Sequence, residues 1–237
     1  PRTAGRRGCG SAGRPASAYR RRNGPRRTAH QRIGRRTILH STRLDDLLTR
    51  IRACRLCEAH LPLGPRPVLV VRPTARILIV GQAPGTKVHE SGVPWNDRSG
   101  DRLREWMGVD RETFYDAERV AIVPMGFCYP GVLPNGGDAP PRPECAATWH
   151  EPVLEHLPNV ELIVLAGMYA QARYLGKARK RTLTETVAAW REYGPRFMPL
   201  PHPSWRSMNI ERKNPWLRAE LIPELRSRVA ALLGSAG

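Results

Sequence analysis

The sequence predicts an α/β protein, a three-layer α/β/α sandwich around a mainly parallel, four-stranded central sheet. Three observations carry that expectation. Short apolar runs alternate along the chain with helical patterns. The best of these runs are continuously apolar, as strands buried on both faces are. Each run is followed by a segment rich in Gly, Pro or polar residues: GQAPG, then PMGFCYPG, AGMYA and PHPSWRS. In open parallel sheets ligands bind beyond the carboxyl ends of the strands, so one pocket can collect all four segments.

The elements follow in order. Leu44, Leu47, Leu48 and Ile51 recur at i, i+3, i+4 and i+7, which predicts an amphipathic helix ending near Cys54. A proline-rich link, LPLGPRPVLVVRP, leads to the first strand over 75–81. Ser99 is placed to cap a helix over 100–107, with Leu103, Trp106 and Met107 facing inward. A second strand is expected over 119–123, a helix over 144–157 and a third strand over 160–166. Helices over 168–175 and 183–192 precede a short fourth strand over 196–200. The tail, 216–233, reads as helical, with Pro223 marking a break or a fresh start.

Length and charge divide the chain. A sequence of 237 residues suits one domain with a real core. The formal charge is +18, but residues 1–43 hold 13 arginines and no Asp, Glu or Lys, leaving 26 basic against 21 acidic residues elsewhere. This arm, rich in Gly, Pro and Ser, cannot bury enough surface to offset its ordering entropy and is expected to be disordered. It reads as a phosphate-gripping arm, as an extension without a folded role, or as a transit-like segment. The folded domain is expected over 44–237. No apolar run is long enough to span a membrane, and no secretory signal is visible.

Five cysteines, with one C-x2-C, favour metal or redox chemistry in a reducing, cytoplasmic compartment over a disulfide framework. Cys54 and Cys57 form the pair at a helix end, and Cys128 and Cys145 follow at a distance. Four thiolates suit a structural zinc or a [4Fe–4S] cluster, and spacing alone leaves both open beside buried core thiols. Cys9, in the arm, reads as a free thiol. His202 stands out because Pro201 and Pro203 restrict the backbone around it, with Trp205 and Arg206 close behind.

Taken together, GQAPG after the first strand, the C-x2-C with two later cysteines, and HPS after the last strand resemble the uracil-DNA glycosylase superfamily. The cysteine spacing is similar to its iron–sulfur branches, families four and five. The resemblance covers about 44–233. It implies that Gly81, Gln82, Ala83, Pro84 and Gly85 wrap the base and that Trp95, in Gly92-Val93-Pro94-Trp95, stacks on it. It implies that His202 hydrogen-bonds the base carbonyl and that the loop of Trp205, Arg206 and Ser207 enters DNA. It implies that Cys54, Cys57, Cys128 and Cys145 hold a [4Fe–4S] cluster, with zinc as the lesser alternative. Three positions depart from the usual pattern. Ala83 stands where GQDPY members carry an Asp, no Asn precedes Cys128, and Trp95 replaces a Phe.

The implied reaction is monofunctional base excision: hydrolysis of the N-glycosidic bond of uracil in single- or double-stranded DNA, leaving an abasic site. Such hydrolysis puts negative charge on the leaving base, where a fixed donor such as His202 is most useful. The base must also be flipped out of the duplex, and Arg206 could fill the gap or hold flanking phosphates. A water must be placed opposite the base. His89, Glu90, Asn96, Asp97 and Asp101 are candidates in the segment after the first strand. Asp101, in the first turn of a helix, reads as structural. Glu90 reads as the best carboxylate of the set and Asn96 follows Trp95, the implied stacking residue, so both are expected to act with His202 in catalysis. The departures motivate two rivals, a glycosylase for hypoxanthine or xanthine and a catalytically weak DNA-binding module of the same fold. A zinc-stabilised nucleotide-binding protein is a third. A monomer is expected.

Overall fold

The sheet is the frame on which everything else hangs. The computed structural model describes residues 43–134 and 136–234, and every side chain among them except that of Arg206. The arginine-rich arm lies outside the described residues but for Arg43. Strands β1 (Ile77–Val80), β2 (Val120–Ile122), β3 (Leu162–Ala166) and β4 (Phe197–Leu200) pair in the order β2-β1-β3-β4, all parallel. In register, Ile79 sits between Ile122 and Val164, and Val164 faces Met198. Every residue of β1, β2 and β3 is buried, as branched residues in a doubly covered sheet should be.

Alternation along the strands builds two cores. Leu78, Val80, Ile163 and Leu165 face one side, where they meet Leu44, Leu47, Leu48 and Ile51 of α1 (residues 43–52). Helices α5 (Pro143–Leu154) and α6 (Met168–Leu175) complete that layer. Ile77, Ile79, Leu162 and Val164 face the other side. They pack against α3 (Arg98–Met107), α4 (Arg111–Tyr115), α7 (Leu183–Ala188) and α9 (Ile222–Gly234). Two shorter helices, α2 (Thr86–Ser91) and α8 (Met208–Lys213), lie in the loops after β1 and β4. The result is the expected three-layer α/β/α arrangement.

The connections explain where a ligand can bind. The chain leaves β1 toward β2 on one side and leaves β3 toward β4 on the other, so the order reverses between β1 and β3. Loops leaving adjacent strands in opposite directions open a crevice at their carboxyl ends.

Several boundaries differ from expectation for physical reasons. Asp97, not Ser99, caps α3, its Oδ1 accepting the Gly100 N–H at 2.8 Å, so the helix starts earlier. The helix expected over 183–192 stops at Ala188 and continues as a 3-10 turn, Trp190–Tyr193. The tail helix widens into a π turn at Leu217–Leu221 that runs directly into α9, and this widening accommodates Pro223, which has no N–H to donate to the preceding turn. Among the described residues no helix is long and apolar enough to cross a membrane.

Candidate active site

The carboxyl ends of the strands enclose a cleft of about 550 Å3. Gly81-Gln82-Ala83-Pro84-Gly85 runs along it from β1 into α2. The loop after β2 braces this segment from behind. The Met125 N–H donates to the Gly81 carbonyl at 3.0 Å, and the Gly126 N–H to the Gln82 carbonyl at 2.9 Å. Gly167 and Met168 enter from β3, His202 and Ser204 from β4.

Trp95 is held in a conformation that L-residues avoid, with φ +58°. For a bulky side chain the left-handed region costs about 1–2 kcal/mol, so the surroundings must impose it. Three contacts do so. Tyr115 Oη donates to the Pro94 carbonyl at 2.9 Å, and buried Arg104 donates through Nη1 to the Trp95 carbonyl at 3.4 Å. Gly100 supplies the third, because a Cβ there would lie 1.7 Å from that carbonyl oxygen. The indole then reaches over Gly81, where a Cβ would come within 2.6 Å of Cζ2.

His202 is fixed by more than its prolines. Its carbonyl accepts the Ser204 N–H at 2.8 Å, and the buried Ser207 hydroxyl bridges the carbonyls of His202 (2.6 Å) and Ser204 (2.7 Å), donating to one at a time. Gly167 approaches so closely that an added Cβ would lie 3.3 Å from that of His202. The imidazole and the Trp95 indole stand side by side, centroids 5.6 Å apart and tilted by 30°. Burial lowers the His202 pKa below its ordinary value, and the Asp97 and Asp138 carboxylates oppose that shift without cancelling it. The ring is therefore neutral at neutral pH. A neutral imidazole can donate one N–H without carrying a charge.

The match to known proteins fits this geometry. The family model of the uracil DNA glycosylase superfamily matches residues 69–226. The chain belongs to that superfamily. A solution structure of a Methanosarcina acetivorans protein, provisionally described as a uracil DNA glycosylase, is similar at 18% identity and a TM-score of 0.39, over 68% of this chain and 94% of that one.

Within this superfamily fold, the structure brings together most of the residues that the sequence picks out, but not all. Gly81 to Gly85, Trp95 and His202 share the cleft. Arg206 lies on the 3-10 turn Trp205–Ser207 at its mouth, between two protruding apolar side chains, Trp205 (74% exposed) and Met208 (59%). Glu90 and Asn96 do not line the cleft. Glu90 is exposed on α2, its carbonyl accepting from Arg66 Nη1 at 2.9 Å. Asn96 turns outward to accept from Arg111 Nη2 on α4 at 2.9 Å. Both are near Trp95 in sequence, but the left-handed turn at Trp95 aims their side chains elsewhere. The carboxylates in the cleft are Asp97 and Asp138. Asp101 pairs with Arg104, a structural role. Gln171 was not singled out from the sequence, yet it is buried and donates to the Leu200 carbonyl at 2.8 Å, holding the end of β4. Its only signal is an i+4 position after the glycine that ends β3.

Cys54, Cys57, Cys128 and Cys145 line a second, apolar chamber of about 20 Å3, with Ile51, Leu61, Phe127 and Trp149. The superfamily match begins after Cys54 and Cys57. Among the described residues no group of three or more His, Cys, Asp or Glu side chains is arranged to hold a single metal ion. The four thiols nevertheless share one chamber and are the residues that could hold a larger group. The Phe127 N–H donates to Cys145 Sγ at 3.3 Å, the Arg66 N–H faces Cys128, and the Arg142 side chain faces Cys57. Burial, helped by the neighbouring thiols, pushes Cys128 up to about 11 and Cys145 up to about 12. Burial there favours the neutral thiols, and only a cationic centre would favour their thiolates.

Proposed function

We propose that this protein is a monofunctional DNA glycosylase that hydrolyses the N-glycosidic bond of uracil in DNA, initiating base excision repair. The observation that carries the reading is the Trp95–His202 pair at the strand-order reversal, a stacking surface and a fixed neutral donor in one cleft. A base swung out of the helix can lie against the indole while the imidazole N–H meets the carbonyl on which negative charge develops. Backbone groups of Gly81 to Gly85 frame the remaining edge. Trp205, exposed at the mouth, is an apolar wedge that can take the place of the extruded base, with DNA as the partner. Residues 123–129, directly after β2, hold no side-chain amide.

Cys54, Cys57, Cys128 and Cys145 are proposed to hold a [4Fe–4S] cluster with a structural role. When bound, it supplies the cationic centre those thiolates require and joins α1 to the β2 loop. Purified protein should be brown and contain iron; colourless protein with stoichiometric zinc overturns this part of the reading.

The function is tested with single- and double-stranded oligonucleotides carrying uracil, hypoxanthine or xanthine, followed by alkaline cleavage of abasic sites. Uracil release is expected. Release of hypoxanthine or xanthine alone shifts the substrate, and binding without release of any base makes the protein a non-catalytic module. His202→Ala should lower the turnover rate about 100-fold or more, on the scale of removing one oxyanion donor, without a change in fold by circular dichroism. Full turnover in that variant removes His202 from the mechanism.

A further inference from the structure

Tyr115 and Arg104 brace the stacking Trp95 from the side of α3 and α4, but the chain that enters its turn comes from α2. We propose that Arg66 is the positioning residue for that entry, a strut between the wall of the cysteine chamber and the base-stacking turn; the inference rests on the glycosylase reading above.

Residues 65–68 run between the two cavities. Pro65 and Pro67 line the cysteine chamber, and Val68 lines the cleft. This wall is pinned to the loop after β2. The Arg66 N–H faces Cys128, and the Val68 N–H donates to the Phe127 carbonyl at 2.8 Å. Prolines on both sides restrict the backbone at Arg66, so its side chain starts from a fixed point.

The guanidinium crosses to the end of α2. Nη1 donates to the Glu90 carbonyl at 2.9 Å, in the last turn, where a helix leaves its carbonyls without intrahelical partners and favours a cation. Nη2 lies against Gly92, where an added Cβ would come within 2.9 Å of it. Gly92 has φ +70°, and its N–H closes α2 on the Val88 carbonyl at 2.8 Å. A second contact ties the same turn to the same loop. The His89 ring stands 6.0 Å from that of Tyr129, the residue after Cys128.

The end of α2 matters because of what the helix joins. Gly81 to Gly85 runs into its start, and Trp95 follows its last residue, Ser91, by four. The direction in which α2 ends therefore sets where Pro94 and the indole begin. Arg66 is exposed, so it adds little to folding. Its value is geometric: a planar fork meets the Glu90 carbonyl and the bare face of Gly92 together, which an ammonium cannot do.

The test separates positioning from folding and from phosphate binding. Arg66→Ala should lower the single-turnover rate on uracil-containing oligonucleotides about 10-fold at saturating protein. Affinity for the same oligonucleotide without uracil should stay within about 2-fold of wild type, with an unchanged salt dependence, because the guanidinium is engaged by the protein. Arg66→Lys should lose about as much rate as Arg66→Ala. Trp95→Gly keeps the positive φ without strain and removes the indole, and in that background Arg66→Ala should cost less than about 2-fold. In the protein alone, hydrogen exchange across 88–97 should rise in Arg66→Ala while β1 and β3 stay protected. A rate within about 2-fold of wild type, or a loss of about 10-fold that persists without the indole, overturns the assignment. So does unchanged exchange across 88–97, and weakened binding of uracil-free DNA makes Arg66 a phosphate contact instead. If wild-type protein releases no base, the glycosylase reading fails, and the exchange measurement still decides whether Arg66 holds the turn.

Discussion

Two glycines show how single positions divide fold from function. Gly81 and Gly100 both contact Trp95, but at different atoms. At Gly81 an added methyl would meet the far edge of the indole, 2.6 Å from Cζ2, which can swing aside. At Gly100 it would meet the Trp95 carbonyl at 1.7 Å, where only backbone can move. Gly81→Ala should therefore fold normally and displace the stacking surface. Stacking on an aromatic ring is worth about 1–3 kcal/mol per base, so kcat/KM for base release should fall about 10- to 100-fold at an unchanged melting temperature. Gly100→Ala should instead lose about 1–3 kcal/mol of stability, read by denaturant unfolding. Undiminished excision in Gly81→Ala would mean that Trp95 is not the stacking surface. Neither glycine could have been singled out in advance for this reason, because the contacts depend on the left-handed turn at Trp95. No local pattern predicts a positive φ at a tryptophan. The same turn explains why Glu90 and Asn96 looked well placed in sequence and are not so in space, whereas His202 was legible because its prolines act on adjacent residues.

At the level of elements, the four strands and the amphipathic α1 were legible because burial on a sheet or a helix face is written directly in apolar spacing. Strand order was not, since it depends on which way each crossover turns. Nor was the tie between α3 and the His202 loop. Arg102 on α3 pairs with Glu211 on α8, both largely buried, and its Nη1 donates to the Ser204 carbonyl at 3.4 Å while its guanidinium lies 5.3 Å from the Trp106 ring centroid. Glu211 also accepts from Arg218 Nε at 2.8 Å, and Arg218 reaches Glu105 on α3. Charges this far apart in sequence look like ordinary solvated residues until the fold pairs them. Arg102→Ala leaves Glu211 one partner, so the stability loss should be at most about 3 kcal/mol, below that of a fully orphaned buried charge. The larger consequence falls on the loop. With the Ser204 carbonyl released, His202 loses part of its fixed position, and kcat should fall about 10-fold even at saturating substrate. Lys should not rescue it, because a point-charge ammonium cannot serve Glu211 and Ser204 as a planar fork does. A variant with lower stability but unchanged kcat would make the pair purely structural.

Across the whole molecule, the proposed cluster answers a question that the apolar core leaves open. Of residues 52–67, only Leu61 is buried. Ordering a backbone costs about 1–2 kcal/mol per residue, while burying one leucine returns at most about 3 kcal/mol. Prolines 62, 65 and 67 reduce that cost but do not remove it. Apolar burial alone therefore does not account for the order of this segment. Thiolates at 54, 57, 128 and 145 bound to one centre would supply the missing stabilisation, as metal binding does where no site is preformed. Cys128 follows β2 and Cys145 lies in the first turn of α5, so the same centre would also steady the loop whose Met125 and Gly126 N–H groups brace Gly81 and Gln82. Removing iron by oxidation and chelation should thus act locally. Hydrogen exchange should rise sharply across 53–68 and 124–145, while β1, β3 and β4 stay protected by the two cores. Base release should weaken as the braced segment loosens. Iron-free protein with unchanged exchange in both segments would show that the four thiols are core residues and that the proline-rich link is held by packing alone.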